Sequence, residues 1–216
     1  MDRRYSWIRM LFHWVYRCLL AQVICLIVCL MGLGIFGGLA GLQSAFSFLK
    51  ETEDQDRTLR FIEFDVLKQS WDRLKQTWWL SLIFLVLLVI LCLNLTYLMQ
   101  AKTWLDLLLF VLNLLILLIL ILLVIVFAYI SALYPQLSTK EAWSNTYHLV
   151  LARLLEFILC GAVIVAVMIA LASFNPGLSL FLGLGIYLIS YYQLIKCLLA
   201  GHSIHQLYKS YWRRDD

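Results

Sequence analysis

Long uncharged apolar runs alternate with short polar segments along this chain. No formal charge occurs from Cys18 to Leu49 (32 residues), Gln76 to Ala101 (26), Leu107 to Thr139 (33) or Phe157 to Ile195 (39). A helix needs ~20 apolar residues to cross ~30 Å of hydrocarbon, so each run is long enough to span a bilayer. The fourth is divided by Asn175-Pro176-Gly177, a turn signal between two apolar halves. Backbone polar groups must be satisfied inside lipid, and the runs lack the alternation of barrel strands, so helices are expected. The first run contains Gly32, Gly34, Gly37, Gly38 and Gly41, where missing side chains permit a tight reversal or a close helix crossing.

How those glycines act decides the topology. If the chain turns back there, six membrane segments pair as three hairpins. All but one of the 17 lysines and arginines then fall on one side, leaving Lys102 alone opposite. A single long span through residues 18–49 divides them 12 to 5 and gives five segments. Positive charge concentrates on the cytoplasmic side, which favours the hairpin and places both termini in the cytoplasm. The cost is a second segment of roughly fifteen residues, about 22 Å long.

The polar segments carry their own pattern. Phe61, Phe64, Leu67, Trp71, Leu74 and Trp78 follow a helical spacing that lines one face. Arg60, Glu63, Asp65, Lys68, Asp72, Arg73 and Lys75 take the other faces. This stripe reads either as an interfacial helix or as a docking surface for a partner. Ser138-Thr-Lys-Glu141 fits a capping box after the helix-stopping Pro135, opening a second amphipathic stretch with Trp143, Tyr147, Val150 and Leu154 on one face.

The expected architecture is therefore an all-α polytopic membrane bundle of five to six segments in one domain. A first hairpin covers 1–49, and 50–77 forms a cytoplasmic linker and amphipathic helix. A second hairpin covers 78–134, an amphipathic helix 135–156, a third hairpin 157–200, and a cytoplasmic tail 201–216.

Composition agrees: 63% of the 216 residues are apolar and 14% charged, with mean hydropathy +0.89. Soluble domains are typically ~45–50% apolar. A net charge of +4 gives no reason to assign a nucleic-acid role. The six cysteines have no metal-ligand spacing, and the pair Cys25 and Cys29 reads as packing residues. His202 and His205 lack a nearby third ligand and read as interfacial. There is no nucleophile elbow, phosphate-binding Gly-Lys loop or His-Glu-x-x-His pattern. No catalytic, metal or cofactor site is expected, and the chain reads as a non-enzyme. Ionisable residues are missing from the middles of the spans, where transporters usually place them. Asn94 and Asn113 are the main polar residues there, expected to hydrogen-bond between helices; Gly37, Gly38 and Gly41 are expected to allow close packing.

Three features together resemble the YesL family of bacterial integral membrane proteins, a domain of unknown function. They are the Trp- and Arg-rich N-terminal helix, the run Gly34-Ile-Phe-Gly-Gly-Leu-Ala-Gly-Leu-Gln-Ser-Ala-Phe46, and the aromatic amphipathic helix Phe61–Trp79. The resemblance covers the whole chain, although the proline that many members carry near the turn is missing here. It implies an accessory or regulatory component beside bacterial carbohydrate (ABC-type) uptake, with the lipid bilayer, the membrane subunits of such a transporter and a second copy of the chain as partners. The alternative is a small transporter or channel in its own right, acting as an oligomer.

Overall fold

The computed structural model describes residues 3–32, 34, 37–54, 59–99, 103–174 and 176–200. Among them are seven α-helices and no strand: α1 (Arg3–Met31), α2 (Gly38–Asp54), α3 (Leu59–Leu98), α4 (Trp104–Leu133), α5 (Thr139–Ala152), α6 (Leu154–Phe174) and α7 (Pro176–Ala200). Five segments are long and apolar enough to cross a membrane: Phe12–Met31, Val66–Leu98, Trp104–Leu133, Leu154–Ser173 and Leu182–Leu199. The chain is a multi-pass helical membrane bundle.

The short α2 is not among the five, yet four of them are arranged around it. It packs against α1, α3, α4 and α7, and Leu39, Ala40, Ala45, Phe46, Phe48 and Leu49 are buried. Seventeen residues make about 25 Å of helix, and protein surrounds most of that length. α1 ends where Gly34, at φ 74°, donates its N–H to the Cys29 carbonyl at 2.7 Å. α2 then returns along α1. A Cβ on Gly37 would fall 2.5 Å from the Val28 oxygen, and one on Gly41 would fall 2.8 Å from the Cys25 oxygen. Farther along, the Arg17 guanidinium donates to Thr52 Oγ1 at 3.1 Å and to the Leu49 carbonyl at 3.0 Å. These partners step in opposite directions along the chain, so the two helices are antiparallel. Arg17 thereby supplies a cation near the negative end of the α2 dipole.

α3 and α4 complete the cradle. Ser44 Oγ lies 2.7 Å from Ser70 Oγ, and Arg73 Nη1 donates to the Gln43 carbonyl at 3.0 Å, so α3 also runs antiparallel to α2. On α4, Ala132 O accepts from Ser47 and Leu133 O accepts from Lys50 at 3.2 Å, satisfying carbonyls that a helix end leaves without partners. Phe46, Tyr129 and Tyr192 join α2, α4 and α7, with successive ring centroids 5.6 Å apart. Such pairs contribute ~0.5–1.5 kcal/mol beyond area burial. α1 and α7 approach closely at Gly185, where a Cβ would fall 2.5 Å from the Cys18 oxygen and whose N–H donates to Gln22 Oε1 at 3.2 Å.

Local chemistry sets several boundaries. Thr103 and Asp106 form a reciprocal capping box that starts α4, and Ser138 with Glu141 does the same for α5. Tyr134 and Pro135 end α4. α5 and α6 are separated only at Arg153, whose N–H still bonds Leu149 O while its carbonyl accepts from Phe157, so the chain bends there without a loop. Two boundaries differ from the sequence expectation. α2 continues through Asp54, into the stretch assigned to a linker. The amphipathic segment before residue 78 and the span after it form one uninterrupted 40-residue helix, because no glycine or proline interrupts Leu59–Leu98.

Candidate functional site

The chemistry-bearing side chains collect in the crevice between α3 and α4, with α2 as its floor. On α3 the buried face is Val66, Ser70, Thr77, Leu80 and Ser81, with Arg73 half-buried among them. Their spacing traces one helical face. The aromatic stripe singled out in the sequence lies roughly a third of a turn away. Trp71 and Trp78 are 48% and 49% exposed, and the neighbouring Trp79 is exposed as well. Leu67 and Leu74 sit between the two faces, half-buried against the core. The side chains of Phe61 and Phe64 lie outside the described residues. Arg73, off the aromatic stripe as the sequence spacing placed it, ties α3 to the α2 backbone.

At one end of the crevice is a polar cavity of about 170 Å³. Its walls carry Gln43, Arg73, Gln76, Thr77, Ser131 and Tyr134. Arg73 spends one N–H on the Gln43 carbonyl and another on Gln69 Oε1 at 3.3 Å, both neutral acceptors. Glu51 on α2 interacts with it electrostatically. Burial pushes the Tyr134 phenol above its ordinary value, so it stays a neutral hydroxyl at physiological pH. Ser131 Oγ is buried without a hydrogen-bond partner.

One helical turn further along, the walls become apolar. A second cavity of about 420 Å³ is lined by Cys25, Leu39, Leu42, Phe84, Val124 and Leu184, among others. Ser81 is among its few polar side chains, and Ser81 Oγ too is buried without a partner. Gly34 and Gly38 border this space, and a Cβ on either would meet nothing within 4 Å. Cys25 and Cys29 face Gly41, 3.3 and 2.9 Å from where its Cβ would be.

The remaining sequence candidates fall elsewhere. Gly37 and Gly41 lie at the α1–α2 approach, whereas Gly38 faces open space, so close packing does not account for that glycine. Asn113 donates to Leu109 O of its own helix at 2.9 Å, and Asn94 is exposed on α3. Neither asparagine makes a described hydrogen bond to another helix, because the outer halves of α3 and α4 carry mostly outward-facing apolar side chains. His202 and His205 lie outside the described residues. Among the described residues no three His, Cys, Asp or Glu side chains gather to hold a metal ion. Sequence reasoning missed Ser44, Ser70, Thr77, Ser81 and Gly185. The available signal was the helical spacing of small hydroxyl residues on α3. No family model, curated protein or solved structure matches this chain.

Proposed function

We propose that this chain is a non-enzymatic accessory or regulatory component of a bacterial carbohydrate-uptake complex. It sits in the cell membrane with both termini cytoplasmic, and it docks to a membrane subunit of that complex through α3. The observation that carries this reading is the outward orientation of Trp71, Trp78 and Trp79 on a segment that also bears Lys68, Asp72 and Lys75. The bundle buries the hydroxyl-bearing face about a third of a turn away and leaves roughly half of the Trp71 and Trp78 surface exposed. Large aromatics flanked by charge are the side chains that partner pockets use as anchors. Carbohydrate as the solute class comes from the YesL resemblance, and the cytoplasmic ends from the distribution of positive charge.

A second reading, a small oligomeric transporter, draws on the polar cavity beside Arg73. Against it stands the apolar lining that follows within a turn, since a sugar needs polar contacts along its path. Two measurements separate them. Affinity purification from native membranes is expected to bring down a transporter subunit with the wild-type chain and much less with Trp71→Leu. Purified protein alone in liposomes is expected to give no sugar flux; flux without a partner would replace the accessory reading with the transporter one.

A further inference from the structure

We propose that the α3–α4 crevice binds a phosphate-bearing lipid, with its phosphate at Arg73 and a hydrocarbon chain in the apolar cavity. The inference is independent of the accessory reading. It begins from register. Along α3 the cavity walls pass from Arg73 and Thr77 to Ser81 and Phe84; along α4 they pass from Ser131 to Val124. The polar and apolar spaces are thus lined by the same three helices, α2, α3 and α4, and follow one another along them about a turn apart. A ligand filling both is elongated and amphiphilic, polar at one end only.

The unpartnered groups fit such a ligand. Ser131 Oγ and Ser81 Oγ are the buried side-chain polar atoms without a hydrogen-bond partner among the described residues, and one lines each cavity. A buried hydroxyl without a partner is unfavourable, and a ligand oxygen relieves that cost. Ser131 is placed for a phosphate oxygen. Ser81, at the boundary with the apolar space, is placed for an oxygen of the linkage between headgroup and chain. Arg73 has five N–H donors, of which two hydrogen bonds to neutral oxygens use two. Glu51 interacts with the same guanidinium. Selection for phosphate therefore rests on the planar donor fork and adjacent hydroxyls as well as on charge. The apolar space, about 420 Å³, opens to the surface of the bundle rather than being enclosed. In a bilayer its natural filling is hydrocarbon. The bare Gly34 and Gly38 keep its wall open.

Two sources share this chemistry: a bilayer phospholipid and a polyprenyl phosphate. The test uses the full chain, purified and delipidated in detergent, with native mass spectrometry and thermal unfolding as readouts. The probes are phosphatidylglycerol, a polyprenyl phosphate, glycerol 3-phosphate (phosphate without the chain) and diacylglycerol (chains without the phosphate). At least one of the two lipids is expected to be retained one-to-one and to raise the unfolding temperature, and which one does so identifies the source. Neither half-ligand should do the same. Arg73→Gln is expected to weaken binding by roughly tenfold or more. That substitution also removes an α2–α3 hydrogen bond, so Gly38→Leu is the second variant. It places bulk in open space and should keep the unliganded unfolding temperature while weakening lipid retention. The proposal is overturned if neither lipid binds, if either half-ligand binds as tightly as the lipid, or if Gly38→Leu leaves retention unchanged.

Discussion

Gly37 and Gly38 are adjacent, and their geometry requires opposite responses to the same substitution. A methyl group on Gly37 would lie 2.5 Å from Val28 O, 2.6 Å from Cys29 Cα and 2.7 Å from Cys29 O. All three are backbone atoms of α1, so no side-chain rotation can relieve the clash. The helices must separate instead, at a cost of about 1–3 kcal/mol for overpacking of this kind. On Gly38 the same group meets nothing within 4 Å. As a helical residue, Gly38→Ala gains up to ~0.5–1 kcal/mol from the lower backbone entropy of alanine. The pair should therefore differ by about 1.5–4 kcal/mol. At roughly 2–4 °C per kcal/mol for a chain of this size, that is a gap of about 3–16 °C. Detergent-solubilised protein, heated in steps and scored for the monodisperse fraction by size exclusion, measures it. Gly38→Ala should match or exceed wild type while Gly37→Ala falls below it. Equal unfolding temperatures, or the reverse order, would refute the close approach of α1 and α2 at Gly37.

Trp71→Leu should leave folded yield and unfolding temperature near wild type, because the side chain is exposed, while reducing co-purification of the partner subunit; undiminished recovery removes Trp71 as an anchor. Asn113→Leu should change stability by no more than ~0.5 kcal/mol, since the amide bonds only its own helix among the described contacts; a large loss in the same thermal assay would reveal an interhelical role. The raised pKa of Tyr134 comes from burial, which favours the neutral phenol in the folded state. Its contribution to stability is therefore complete below the ordinary phenol value of 10.0 and is lost as pH rises through the higher folded value. Unfolding temperature measured above pH 10 should accordingly fall more steeply for wild type than for Tyr134→Phe.

The helices themselves were legible from the apolar runs, and so were several of their ends. Pro135, the Ser138–Glu141 box and the start of α7 at Pro176 all act locally, where sequence is informative. The Thr103–Asp106 box carries the same kind of local signal. What the sequence pattern did not reveal was which face of α3 points inward. A soluble helix turns its apolar stripe to the core, a rule that does not hold for Phe61–Trp78. In a bilayer the surroundings are as apolar as leucine, so small and hydroxyl residues pack inside while large apolar ones face out. Ser70, Thr77 and Ser81 are buried and Trp71 and Trp78 are not. The close approaches at Gly37 and Gly185 depend on register between helices, which hydropathy does not encode. The crevice itself combines residues from distant parts of the chain, Gln43, Arg73 and Ser131, and no local pattern joins them.

The architecture rests on the return of α2 along α1, and a paired-cysteine crosslink tests that return directly. In one continuous helix, residues 17 and 52 would be about 50 Å apart; here Arg17 Nε lies 3.1 Å from Thr52 Oγ1. Arg17→Cys and Thr52→Cys would be combined in a chain cleared of its six native cysteines. Treated in membranes with a short bifunctional maleimide, the double variant should yield a crosslinked peptide joining the two positions by mass spectrometry. If each single cysteine reacts with a monofunctional maleimide but the pair never crosslinks within one chain, α2 does not lie against α1.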